Sequence, residues 1–97
     1  MPFIQIIDFR TSRYDEIERL GHEWEAAATD TTARRRILVR DRNATDRYLN
    51  LVFFDSYEEA MKNSDDPVTQ EFAQKMATLV DAPPVFLDLD VIEEREL

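Results

Sequence analysis

The sequence predicts a single α+β domain spanning residues 1–97, an antiparallel four-stranded sheet with helices packed on it. Three observations predict it. The segments run strand–helix–strand–strand–helix–strand within 97 residues, a length suited to one domain. The strands alternate into two distinct faces, neither of them patterned for water. The single glycine, Gly21, lies inside a helical segment rather than in a turn.

Phe3 to Phe9 is short and rich in aromatic and β-branched residues, and it reads as the first strand. Ser12 is placed to cap the following helix, with Asp15 in the capping-box position. From Tyr14 to about Ala28, Ile17, Leu20, Gly21, Trp24, Ala27 and Ala28 share one helical face. A mid-helix glycine costs roughly 1 kcal/mol relative to alanine, so Gly21 implies close packing or reserved space. Arg35 to Asp41 and Arg47 to Asp55 form a hairpin across the polar loop 42–46. Ser56-Tyr57-Glu58-Glu59 is a capping box for the second helix. Asn63-Ser64-Asp65 breaks that helix, and Asp66-Pro67 restarts it as cap and first-turn proline, with the second segment running to about Val80. Pro83-Pro84 forces an extended entry to the last strand, Val85 to Ile92. An acidic tail follows, frayed or laid across a partner.

Composition removes several function classes. The formal net charge is −9, from 21 acidic against 12 basic residues, which argues against nucleic acid as a partner. Half of the 12 basic residues, Arg34, Arg35, Arg36, Arg40, Arg42 and Arg47, fall in one short stretch, able to bind an anion or to pair with acids of the same or a neighbouring chain. There is no cysteine, hence no disulfide, thiol nucleophile or thiolate metal site. With one histidine and no carboxylates at metal-ligand spacing no metal is expected, and with one glycine there is no glycine-rich phosphate loop, so no cofactor is expected. Met1-Pro2-Phe3 lacks a signal pattern and no apolar run reaches spanning length, so a cytoplasmic location without a membrane partner is expected.

Parity divides the strands. One face carries Ile4, Ile6, Ile37, Val39, Leu49, Leu51, Phe53, Val85, Leu87, Leu89 and Val91, a purely apolar layer. The other mixes Phe3, Phe9, Tyr48, Phe54 and Phe86 with Gln5, Arg36, Arg40, Asn50 and Asp88. The chain's own helices can cover only one face, so the other calls for a second copy, a homodimer. Periodicity alone would put the aliphatic face against the helices.

Leu51-Val52-Phe53-Phe54-Asp55-Ser56-Tyr57-Glu58-Glu59-Ala60-Met61, with the Asn63-Ser64 break and the Leu87-Asp88-Leu89-Asp90-Val91 ending, resembles the dimeric α/β-barrel superfamily, and within it the antibiotic-biosynthesis-monooxygenase-like domains. The resemblance covers nearly the whole chain. It implies a ferredoxin-like βαββαβ sandwich whose aliphatic face fills a barrel shared by two copies, while the mixed face lines a pocket with Trp24. Haem-degrading members carry a tryptophan at the end of the third strand and a histidine on the second helix. Phe54 stands at that strand position and residues 57 to 80 hold no histidine, so haem is not expected. Cofactor-free monooxygenases of the superfamily surround a phenolic substrate with asparagine, tryptophan, tyrosine and arginine, types that Asn50, Trp24, Tyr48 and Arg36 supply.

The candidate chemistry is correspondingly sparse. His22, the lone histidine, has the titration range of a general base but flanks the apolar stripe. Asn50 could stabilise an oxyanion without titrating, or be a satisfied core amide. Arg36 and Arg40 could hold a carboxylate or phenolate, or pair with Asp88, Asp90 or the hairpin's acids. Asp88 and Asp90 share a strand face, as an acid/base pair or a solvated edge. The expected pocket is lined by Trp24, Arg36, Tyr48, Phe54 and Phe86, with Asn50 and His22 as catalytic candidates and a small hydrophobic or aromatic ligand. The function expected is cofactor-independent monooxygenation. A non-catalytic binding or structural dimer, or an isomerase or cyclase, is the alternative.

Overall fold

Hydrophobic periodicity and caps resolve into seven elements in the computed structural model, which describes residues 1–97: β1 (Phe3–Arg10), α1 (Tyr14–Ala27), β2 (Arg35–Arg40), β3 (Arg47–Phe54), α2 (Tyr57–Asp65), α3 (Pro67–Ala77) and β4 (Val85–Asp90). The strands form one antiparallel sheet in the order β2-β3-β1-β4, the ferredoxin-like arrangement.

Local chemistry sets most boundaries. The Ser56 hydroxyl accepts from the Glu59 backbone N–H at 3.2 Å and starts α2. Asp66 ends α2 and caps α3, accepting from Val68 N–H at 2.8 Å ahead of Pro67. The entry to α1 differs from expectation. Ser12 does not cap it; its hydroxyl points to Asp81, 3.3 Å away. Thr11 organises the turn instead, accepting from Arg13 N–H at 2.9 Å and donating to the Leu79 carbonyl at 2.7 Å.

The helices cover the mixed face, correcting the expectation from periodicity alone that they cover the aliphatic one. Phe3, Ile7, Phe9, Tyr48, Asn50, Val52 and Phe54 are buried beneath them. The right-handed strand–helix–strand crossovers put all the helices on one side of the sheet, and the mixed set is the one that points to that side. The aliphatic face has no cover within the chain, leaving Val39, Leu87 and Leu89 exposed.

The core is divided. One cluster holds Ile7, Phe9, Ile17, Leu20, Tyr48 and Met76; the other holds Phe3, Val52, Phe54 and Ala60. Between them, Gln5 on β1 and Asn50 on β3 place polar groups in the middle of the helix-facing side. No helix is long and apolar enough to cross a membrane.

Candidate functional site

Register brings Leu38, Asn50, Ile7 and Phe86 into one row across the sheet, and Arg36, Val52, Gln5 and Asp88 into the next. Over these rows, between the two core clusters, lies a cavity of about 290 Å³. Trp24 and Gly21 of α1, Asn63 at the end of α2, and Thr69, Phe72 and Met76 of α3 complete its walls.

Asn50 forms part of the floor. It is buried, and its Oδ1 has no hydrogen-bond partner. An unsatisfied buried carbonyl costs on the order of 1–3 kcal/mol, and a water or a ligand in the cavity can supply its partner. The indole N–H of Trp24 donates to Thr69 Oγ1 at 3.1 Å. Asn63 Oδ1 in turn accepts from the hydroxyls of Thr69 at 3.3 Å and Thr31 at 3.0 Å. These bonds tie α1, the following loop, α2 and α3 together around the cavity.

Arg36 supplies the one charge on the cavity wall. Its Nε and Nη2 donate to Glu25 Oε1 at 3.2 and 2.6 Å. The expected pairing with Asp88, Asp90 or the hairpin acids is thereby corrected. Arg36 lies on β2 beneath α1, whereas β4 is at the opposite edge of the sheet. Asp88 accepts from Gln5 Nε2 at 3.2 Å, and Arg40 makes no ion pair.

No protein-family model matches the sequence, and no curated protein matches it. Solved structures do match. SnoaB, a cofactor-independent oxygenase from Streptomyces nogalater, superposes with a TM-score of 0.81 at 15% identity, over 96% of this chain and 95% of that one. Rv0793 from Mycobacterium tuberculosis gives 0.80 at 13% identity, over 99% and 100% of the two chains. An antibiotic biosynthesis monooxygenase gives 0.75 at 10%, over 96% and 100%. The chain shares its fold, a ferredoxin-like α+β sandwich, with these proteins.

On that fold, the cavity gathers Trp24, Arg36, Asn50 and Phe86 from among the residues singled out in the sequence. It leaves out three. Tyr48 is stacked between Phe9 and Tyr14, with ring centroids 5.7 and 4.7 Å away, and serves the first core cluster. Phe54 packs with Phe3 in the second cluster. His22 is exposed, because one step from Gly21 turns it about 100° around the helix. Asn63 and Thr69 were not foreseen: Asn63 read as a helix break, and its burial depends on hydroxyl partners remote in sequence.

The groups with shifted proton affinity lie outside the cavity. The Asp8 carboxyl is held below its usual range, first by the hydrogen bond from Arg47 and also by that residue's charge, against the opposing effect of burial. Tyr14 is pushed up by burial and by its hydrogen bond to Glu18. Among the lining residues there is no aspartate, glutamate or histidine. The arrangement can bind and polarise a ligand through Asn50 and Arg36, but offers no carboxylate or imidazole to receive a proton.

Proposed function

We propose that the protein binds a small aromatic or polyketide-like molecule in this cavity and oxygenates it without a cofactor. The observation that carries this is Asn50: a buried amide with an unpartnered oxygen on the floor of a cavity walled by Trp24, Phe72 and Phe86. The volume, near the lower end of the roughly 300–1,000 Å³ typical of ligand sites, suits a compact fused-ring molecule. The structurally similar SnoaB is a cofactor-independent oxygenase, which supports the same reading.

In the proposed reaction an ionised, electron-rich ring reduces O₂ itself. A C–O bond forms at a ring carbon, and the resulting hydroperoxide loses water to leave a carbonyl. One oxygen atom stays in the product; the other leaves as water, carrying the hydrogen of the ring C–H and one proton from solvent that replaces the proton lost on ionisation. The protein excludes solvent, holds the ring against Trp24 and Phe86, and stabilises oxyanion charge by donation from Asn50 Nδ2, while Oδ1 accepts from the hydroperoxide O–H. Tyr48, Phe54 and His22 have no direct part in it.

The same proposal includes a second copy on the uncovered aliphatic face, as a homodimer in which each protomer keeps its own cavity. Oxygen consumption over a panel of two- and three-ring phenols tests the activity. Turnover that requires O₂ and disappears in Asn50→Ala even at saturating phenol is the expected result. Product formed at equal rate without O₂ would assign an isomerase or cyclase, and binding without turnover a carrier.

A further inference from the structure

Arg36 is the single charged residue lining the cavity of a chain with a net charge of −9. Its guanidinium donates through Nε and Nη2 to Glu25 Oε1, leaving Nη1 uncommitted. That Nη1 lies over Gly21, where a built Cβ would come within 3.2 Å of it. The two partners differ in accessibility, with 22% of the Arg36 side chain exposed against 51% of Glu25. Glu25 is therefore the member that can swing into water and be solvated there, whereas Arg36 is confined between α1 and the sheet.

We propose that Glu25 is a resting counter-ion which an organic anion displaces from Arg36, so that the cavity selects compact aromatic ligands already ionised at neutral pH. This rests on the ligand-binding reading above and narrows its substrate class. A carboxylate or ionised enol on a planar ring would take the place of Glu25 Oε1 on the guanidinium fork, its ring against Trp24 and Phe86. A ligand that arrives ionised needs no base from the cavity, whose lining side chains include no carboxylate or imidazole. Gly21 lets the guanidinium lie close against α1, and a branched residue there would press it aside.

The test uses 1-hydroxy-2-naphthoate and its methyl ester, titrated by calorimetry and by quenching of Trp24, the only tryptophan in the chain. The acid is expected to bind roughly tenfold tighter than the ester, the size of one charge-assisted hydrogen bond. Arg36→Gln is expected to abolish that preference. Glu25→Gln, an exposed change that spares the core, is expected to tighten the acid roughly threefold and leave the ester unchanged, a gain that a merely structural ion pair would not produce. Equal binding of acid and ester, or no gain in Glu25→Gln, overturns the counter-ion role while the ligand-binding cavity stands. Failure of both probes to bind or quench overturns the cavity's ligand-binding role together with this proposal.

Discussion

The guanidinium of Arg36 fills the space that a side chain at Gly21 would occupy, with Nη1 3.2 Å from the position of a built Cβ. The mid-helix glycine is thus explained by a strand residue 15 positions on, brought beneath α1 by the crossover. The contact is with the far end of a flexible side chain and not with backbone. Gly21→Ala should therefore keep most of the helix-propensity gain of about 1 kcal/mol. Thermal unfolding is expected to show a higher Tm for Gly21→Ala. Gly21→Val, whose branched side chain crowds the guanidinium and the helix alike, is expected to melt below wild type. A lower Tm for the alanine variant would mean that Arg36 cannot yield.

Asn50 carries an unpartnered buried oxygen, so the unliganded protein is expected to gain stability when it is removed. Asn50→Leu, apolar and similar in size, should unfold at a urea concentration equal to or higher than wild type, by an equivalent of roughly 1 kcal/mol. Binding of the naphthoate should fall at the same time. Opposite movement of stability and binding separates a functional amide from a structural one.

Asp8 receives Nε and Nη2 of Arg47 at 3.0 and 2.7 Å, while Nη1 of the same guanidinium reaches Asp41 at 3.2 Å. Arg47 depresses the folded-state pKa of Asp8, so the folded form binds this proton more weakly than the unfolded chain does. The resulting stability is present above the unfolded value of about 3.9 and is lost as pH falls through the folded value. Asp8→Asn should melt below wild type at pH 7, and the gap should close below about pH 4. A gap independent of pH would assign the difference to packing.

Leu87 and Leu89 are 41% and 42% exposed on the aliphatic face, with no cover from the chain itself. If a second copy covers them, Leu89→Glu should convert a dimer to a monomer in sedimentation velocity. Its circular dichroism should stay native, since the residue is already open within the protomer. A wild-type monomer at micromolar concentration would remove the homodimer.

The sequence by itself determined the element order, the broken second helix and the division of the strands into two faces. These follow from interactions a few residues apart: Ser56 with Glu59, Asp66 with Val68, and strict alternation along Arg47–Phe54. It also placed Trp24, Arg36, Asn50 and Phe86 among the candidates, because polar and aromatic residues in the midst of apolar strands and helix stripes stand out without coordinates. Which face the helices cover is not encoded in parity and is decided by tertiary packing, which buries Phe3, Phe9, Tyr48 and Phe54. Glu25 as the partner of Arg36, the stacking that takes Tyr48 away from the cavity, and the seating of Asn63 against Thr31 and Thr69 are likewise tertiary. Each joins groups whose proximity depends on how the elements pack, a distance that spacing along one strand or helix does not encode.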